Sequence, residues 1–75
     1  MKKKIVLASI EELKEFNNAA IGCPFDITVT QGKYCVDGKS IMGMFSLNLT
    51  SPVTVEYDSD DNERFESVLR KYKAD

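Results

Sequence analysis

Two hydrophobic periods alternate along this chain and divide it into predicted strands and helices. Residues 3–8 predict a strand, and Ser9 predicts the N-cap of the helix that follows, because Glu12 completes an S-x-x-E capping box. Gly22 is the predicted C-cap of this helix, and Pro24 prevents the helix from resuming. The apolar residues at helical spacing, which we expect to face inward, are Ile10, Leu13, Phe16 and Ala20.

The middle of the chain alternates apolar and polar residues with period two, which is typical of half-buried strands. Phe25, Ile27 and Val29 are the apolar positions of the first such strand. The Gln31-Gly32 pair predicts a turn, and residues 33–37 return as a second strand. We therefore expect the two strands to form a hairpin.

A short helix and a further strand follow the hairpin. Ser40 predicts the N-cap of the helix, in which Met44 and Leu47 face inward. Residues 52–57 alternate again and predict the strand, because a proline at the first position of a strand removes no ladder hydrogen bond. The apolar side of this strand consists of Val53, Val55 and Tyr57.

The last predicted element is the clearest helix. Residues 58–61 supply capping and acidic side chains at its N-terminus, where the helix dipole favours negative charge. Its inward stripe follows the spacing i, i+3, i+4, i+7 and consists of Phe65, Val68, Leu69 and Tyr72. The basic residues that complement the other end of the dipole are Arg70, Lys71 and Lys73.

The predicted order of elements is β-α-β-β-α-β-α, which we assign to a single domain over residues 1–75. Strands with one apolar and one polar face bury only one side of their sheet. We therefore predict an α+β fold, in which a four-stranded and mostly antiparallel sheet carries the helices on one face.

Charge and hydropathy exclude several classes of function. The net charge is −2 and the pI about 5.0, which argues against nucleic-acid binding, because such binding needs a basic face. The one basic cluster, residues 2–4, predicts a solvated N-terminus rather than a nucleic-acid or lipid patch. The apolar run that follows ends at Ile10, too short for a secretion signal or a membrane span. We expect a monomeric cytoplasmic protein.

The chain offers few ligands for metals or cofactors. It contains no histidine and two cysteines, Cys23 and Cys35, which lie too far apart for a CxxC motif. We expect both to be free thiols in a reducing compartment, with Cys35 packed in or against the sheet. No plausible set of zinc ligands follows from this composition, so we expect no metal and no cofactor.

One segment resembles a known protein family. Residues 39–47 have the sequence K-S-I-M-G-M-F-S-L, which resembles the K-S-I-M-G-x-x-S-L stretch of Gram-positive HPr proteins, the phosphocarriers of the sugar phosphotransferase system. Phe25-Asp26-Ile27 and Gly32-Lys33 fall at matching spacing, and the order of elements agrees. The resemblance implies an HPr-like open-faced β-sandwich, and it is strongest between Phe25 and Leu49.

The resemblance also implies a loss of chemistry. HPr proteins carry a histidine in a loop of the form G-[IL]-H-A-R-P-A, which takes phosphate from Enzyme I and passes it to sugar-specific transport subunits. Counting back from Ser40 places Ser9 at the histidine, and Glu11 and Glu12 at the arginine and proline. Reversible transfer needs a nitrogen nucleophile and a nearby cation. We therefore expect no phosphocarrier activity and no enzyme activity, and the role of helix cap accounts for Ser9.

The second site of the family is a regulatory serine phosphorylated by HPr kinase, and Ser40 matches it. The alternative is that Ser40 only caps a helix; the two roles are compatible, because a helix N-terminus also favours a phosphate. In HPr the same short helix docks on partners, and the corresponding positions here are Lys39, Ile41, Met42 and Phe45. The alternative role of the apolar ones is core packing, but Met44 and Leu47 already occupy the inward spacing, which favours a partner surface.

Three hypotheses about function remain open. The first is a regulatory protein-binding module, whose partners are an HPr kinase-like enzyme, a transcriptional regulator or a component of the phosphotransferase system. The second is an active phosphocarrier that uses a residue other than histidine, which rests on the fold alone. The third is a structural or ligand-binding remnant without phosphorylation, in which the motif persists only for packing.

Overall fold

The computed structural model describes residues 1–59 and 62–74 of the chain. Within these ranges the order of elements is β-α-β-β-α-β-α, as predicted. The strands are Lys2–Ile5 (β1), Ile27–Gln31 (β2), Tyr34–Asp37 (β3) and Val53–Tyr57 (β4). The helices are Ile10–Ile21 (α1), Ile41–Phe45 (α2) and Glu63–Lys71 (α3).

The strands form one antiparallel sheet in the order β1-β4-β2-β3. Val29 of β2 lies between Val55 of β4 and Val36 of β3, while β1 and β3 form the two edges. At the β2–β3 turn Gly32 has a φ of +59°, a conformation that glycine adopts without steric cost. The predicted antiparallel sheet and its hairpin are confirmed.

The core lies between the sheet and the helices, on the face of the sheet that bears Val29 and Val55. Phe16 of α1 and Phe65 of α3 are completely buried there, and their ring centroids lie 5.7 Å apart. The Phe65 ring also meets Tyr57 of β4 edge-on, at 5.3 Å between centroids. Aromatic pairs of this kind contribute about 0.5–1.5 kcal/mol beyond the burial of their surface. The aromatic contacts therefore join both long helices to the sheet.

The connection between β1 and α1 differs from the prediction in two respects. β1 ends at Ile5 rather than at residue 8, because Val6 donates its backbone N–H to the Tyr72 carbonyl oxygen at 2.9 Å and leaves the ladder with β4. Ile10 is 47% exposed rather than inward, because it is the first residue of α1 and lies at the border of the buried stripe. The other predicted inward residues, Leu13, Phe16 and Ala20, are buried.

The start of α3 also differs from the prediction. Its N-cap is Asn62 rather than a residue of the segment 58–61, and the Asn62 Oδ1 accepts the Phe65 N–H at 3.0 Å. Asparagine caps a helix as well as aspartate or serine does. Two residues of the predicted capping segment, Asp60 and Asp61, lie outside the described residues. The inward residues Phe65, Val68 and Leu69 are buried as predicted.

Both cysteines are free thiols, as predicted. Cys23 is buried, its Sγ donates to the Ala19 carbonyl oxygen at 3.4 Å, and burial raises the pKa of this thiol. Cys35 lies in the sheet, in β3, as predicted, but its side chain is exposed rather than packed. Its neighbour Val36 packs against the core, and the alternation of side chains along a strand directs Cys35 to the uncovered face.

Candidate functional site

Ser40 begins α2 as the pattern predicts. Its Oγ accepts the Gly43 backbone N–H at 3.2 Å, and its carbonyl oxygen accepts the Met44 N–H at 3.0 Å, which is the first bond of the helix. The backbone of Ser40 is extended, with φ −97° and ψ 109°, as an N-cap requires. The side chain is nevertheless exposed, so the same hydroxyl group is accessible from solvent.

Asp37 holds the turn that leads from β3 into Ser40 by accepting two hydrogen bonds from the backbone of the turn. The Asp37 Oδ1 accepts the Lys39 N–H at 2.9 Å, and the Asp37 carbonyl oxygen accepts the Ser40 N–H at 3.0 Å. Gly38 is buried between them, and a Cβ at this position would lie 2.7 Å from the Ile27 Cγ2. The close approach therefore requires glycine, and it fixes the position of Ser40 relative to the sheet.

Three apolar side chains of α2 differ in their burial. Met42 is 77% exposed, Phe45 is 44% exposed, and Ile41 is half-buried against the core. Met44 is completely buried and Leu47 is 7% exposed, so the predicted inward pair is confirmed. We call the group formed by Ser40, Ile41, Met42 and Phe45 the α2 surface.

Lys39 has a structural contact that its sequence position does not indicate. Its Nζ donates to the Cys23 carbonyl oxygen at 2.9 Å, which places its charge at the C-terminal end of α1. Buried Asn17 of α1 makes a second link, because its Nδ2 donates to the Gly38 carbonyl oxygen at 3.2 Å. These two bonds tie the start of α2 to the last turns of α1.

Ser9 caps α1 and forms the predicted capping box in a modified form. Its Oγ accepts the Glu12 N–H at 3.2 Å, while the Glu12 Oε1 accepts the N–H of Ala8 at 2.9 Å rather than that of Ser9. Ser9 is half-buried. In the described part of the chain, its Oγ has no other hydrogen-bond partner, and the residues that follow in the first turn are Glu11 and Glu12.

The structure does not bring Ser9 and Ser40 together. Asn17, which contacts the turn before Ser40, lies about 12 Å along the axis of α1 from Ser9, at the usual rise of an α-helix. The Lys39 contact is farther still along the same helix, beyond its last residue. The two capping serines therefore belong to separate parts of the surface.

The loop after α2 makes contacts that no pattern in the sequence predicts. The Gln31 side chain donates to the Asn48 carbonyl oxygen at 2.9 Å and accepts the Asn48 N–H at 2.7 Å, across 17 positions of the chain. Thr50 has a φ of +76°, a left-handed conformation that β-branched residues rarely adopt, and it donates its N–H to the Leu7 carbonyl oxygen. The loop after α2 is thereby fixed beside the segment that precedes Ser9.

Other classes of site find no support among the described residues. Within residues 1–59 and 62–74, no three acidic, cysteine or histidine side chains lie in an arrangement that could hold a metal ion. None of the helices in this part of the chain has the length and apolar character needed to cross a membrane.

An antiparallel β1-β4-β2-β3 sheet covered by three helices defines an open-faced α+β sandwich. No known family profile and no curated protein matches the chain. Solved structures do match. The chain is similar to the phosphocarrier protein HPr from Bacillus anthracis str. Ames, with a TM-score of 0.74 and 21% identity, over 97% of this chain and 96% of that one. It is similar to HPr-C-His from Thermoanaerobacter tengcongensis, with a TM-score of 0.74 and 22% identity, over 95% of this chain and 88% of that one. The chain has the HPr-like fold, as the resemblance implied.

Proposed function

We propose that this chain is a protein-binding module of the sugar phosphotransferase system, which acts through the α2 surface and does not carry phosphate on a histidine. The observation that carries the proposal is Met42, which is 77% exposed on a helix whose inward positions are filled by other residues. Phe45 on the same helix is 44% exposed. Exposed apolar side chains that lie together in this way mark protein interfaces.

The chemistry of the α2 surface fits a partner with an apolar recess. Methionine and aromatic residues are enriched in interface cores, and methionine adapts its shape to the surface it meets. The hydroxyl groups of Ser40 and Ser46 are exposed beside them and supply a polar rim. The partners that the resemblance of residues 39–47 to HPr proteins suggests are an HPr kinase-like enzyme, a transcriptional regulator or a component of the phosphotransferase system.

Ser40 is the proposed site of regulation on this surface. Its hydroxyl group is exposed, and the Gly43 N–H already points toward its Oγ. A phosphate adds a charge of about −1.5 to −2, and its oxygens would accept N–H groups of the first turn of α2. That turn contains no acidic residue to repel the phosphate. The modification would therefore place a large charge beside Met42 and change which partner binds.

Three observations support the proposed loss of phosphate relay. The chain contains no histidine. Ser9, which takes the place of the histidine when counted from the motif, is half-buried and uses its Oγ to cap α1. Glu11 and Glu12 follow in the first turn, where negative charge opposes an incoming phosphoryl group. With Enzyme I and phosphoenolpyruvate, we accordingly expect no labelling of the chain; labelling at Ser9 would contradict this.

The binding half of the proposal is tested with Met42→Asp and a purified HPr kinase-like enzyme or transcriptional regulator. We expect the affinity, measured by calorimetry, to fall about tenfold or more, as for a residue at the centre of an interface. Ile21→Asp is the matched control, because Ile21 is 57% exposed on α1 and lies outside the α2 surface. Unchanged binding by Met42→Asp, or an equal loss in the control, would contradict the proposal.

The regulatory half is tested by incubation with such a kinase, ATP and magnesium, followed by mass spectrometry. We expect one phosphate on Ser40, lost in Ser40→Ala. Ser46→Ala is the control, because Ser46 is an exposed serine at the other end of α2. If the kinase leaves Ser40 unmodified, Ser40 is only a helix cap.

A further inference from the structure

The two edges of the sheet differ in how well they are protected against pairing with another strand. At the β1 edge the chain after α3 adds backbone hydrogen bonds, from the Ala74 N–H to the Lys4 carbonyl oxygen at 3.0 Å and from the Val6 N–H to the Tyr72 carbonyl oxygen. β1 also carries three lysines, which hinder the approach of another chain. β3, which forms the other edge, contains neither lysine nor proline. The β3 edge is therefore the more open of the two.

The register of the hairpin determines which backbone groups of β3 point outward. The Gly38 N–H donates to the Ile27 carbonyl oxygen at 2.8 Å, so these two residues form a hydrogen-bonded pair. Such pairs alternate with non-hydrogen-bonded pairs along an antiparallel ladder, and the pair of Thr30 and Cys35 lies three steps farther along. The Cys35 N–H and C=O therefore point away from β2. Within residues 1–59 and 62–74 neither group has a hydrogen-bond partner.

The position of α2 leaves the outer side of β3 uncovered. Met44 and Leu47 point from α2 into the core, whereas Gly43 lies on the flank of the helix, where a Cβ would be 3.3 Å from the Val36 Cβ. α2 thus lies on the core side of β3. Val36 is only half-buried beneath it, and Tyr34, the next residue of β3 on the same face, is 61% exposed.

The segment 33–37 has the sequence K-Y-C-V-D, which is complementary to itself when two copies run antiparallel. With Cys35 opposite Cys35 of a second copy, Lys33 meets Asp37 and Tyr34 meets Val36, each twice because of the two-fold symmetry. Opposite charges and aromatic side chains opposite β-branched ones are favourable cross-strand pairs. A shift of this register by two residues in either direction would instead oppose two lysines or two aspartates.

The contacts within the chain do not use this complementarity. Among residues 1–59 and 62–74, neither Lys33 nor Asp37 forms an ion pair. The Asp37 Oδ1 accepts the Lys39 N–H, which accounts for an aspartate at this position but not for a lysine at Lys33 or an exposed aromatic ring at Tyr34. A second copy of β3 would bury that ring and pair both charges.

We propose that the β3 edge binds a second copy of this chain, through antiparallel β3–β3 pairing that joins the two four-stranded sheets into one. β3 has only four residues, so the contact is small and the dimer forms reversibly at high protein concentration. The proposal replaces the monomer expected from the sequence. A two-fold axis perpendicular to the sheet keeps both helix layers on one face, so the dimer would present two α2 surfaces on the same side.

Sedimentation equilibrium in reducing buffer tests the association. We expect the mean mass of the full chain to rise from 8.4 kDa toward twice that value as the concentration increases to about 1 mM. Lys33→Glu should weaken the dimer about tenfold, because it opposes two negative charges at both ends of the pairing. Lys14→Glu makes the same change of charge at an exposed position of α1 and should associate as the wild type does. A mass that stays at 8.4 kDa, or equal weakening by both variants, would overturn the proposal.

A second pair of variants tests the backbone pairing itself. Cys35→Pro removes an N–H that points outward, which an edge strand tolerates, so the fold should persist while association is lost. Cys35→Ser keeps this N–H and should associate as the wild type does. In NMR spectra of the wild type, the amide signals of Cys35 and Asp37 should shift with concentration. Association that survives in folded Cys35→Pro, or shifts confined to the α2 surface around Met42, would show that the copies meet elsewhere and would overturn the proposal.

Discussion

α1 and α2 begin with the same chemistry and meet different surroundings. In both helices a serine Oγ accepts the backbone N–H three residues later, at 3.2 Å. α1 has 12 residues and an acidic first turn, with Glu11 and Glu12, whereas α2 has 5 residues and no acid in its first turn. The cap of α1 is half-buried, and the cap of α2 is exposed beside Met42.

The difference shows that a capping serine does not identify a site by itself. At Ser9 the acidic side chains already complement the positive end of the helix dipole, and they oppose a further anion. At Ser40 the dipole has no such complement, and the neighbouring residues expose apolar surface. The identical cap is therefore structural at the first helix and, as we propose, also regulatory at the second.

The largest expected effect is a difference in stability between substitutions on the buried and on the exposed face of α2. Met44 is completely buried, so Met44→Ala should lower the free energy of unfolding by about 2–5 kcal/mol. Met42 is 77% exposed, so Met42→Ala should change the free energy of unfolding by less than about 0.5 kcal/mol. Urea unfolding measures both values. Comparable losses would mean that Met42 packs in the core, which would favour the structural-remnant hypothesis over a partner surface.

The next largest effect is the loss of unfolding free energy when either capping serine is replaced by alanine. Ser9→Ala should cost about 1 kcal/mol of unfolding free energy, as is typical of a lost N-cap. Ser40→Ala should cost about half as much, because α2 is short and is held mainly by its buried residues. The aspartate variants at both positions keep a capping oxygen and should recover most of the loss. A larger cost at Ser40 than at Ser9 would show that the cap of α2 is the more important structural element.

Periodic burial explains why most of the fold follows from the sequence. Strands with alternating residues such as Val53 and Val55 and helices with an i, i+3, i+4 stripe have only one way to bury their apolar faces, and both are observed. The predictions that were wrong concern the ends of elements and the edge of the buried stripe. Ile10 obeys the helical period but lies at the edge of the stripe, and the end of β1 depends on a bond to Tyr72, which no local pattern contains.

The candidate sites depend even more on contacts between distant residues. The caps at Ser9 and Ser40 are local, because their partners lie three residues away, and both follow from the sequence. The Lys39 contact with Cys23 joins residues that lie far apart in the chain.

The smallest expected effect concerns the middle of α1, which is held to the end of α3 by a cluster of polar contacts around Glu15. The Glu15 Oε1 accepts the Tyr72 hydroxyl group at 2.5 Å, and its Oε2 lies 3.1 Å from the Lys71 Nζ. The hydrogen bond from Tyr72 and then that from Lys71 lower the pKa of Glu15 from its ordinary value of 4.5. The cluster therefore stabilises the ionised carboxylate in the folded state.

The sign of the pH dependence follows from this lowered pKa. Because the folded state binds the Glu15 proton more weakly than the unfolded state, the contribution of Glu15 to stability is complete above pH 4.5 and is lost as the pH falls through the folded pKa. Wild type should exceed Glu15→Gln in stability at neutral pH, and the difference should vanish in acid. Glu11→Gln is the control, since Glu11 is an exposed carboxylate of the same helix, outside this cluster. A difference that persists unchanged at low pH would mean that Glu15 acts by packing rather than by its charge.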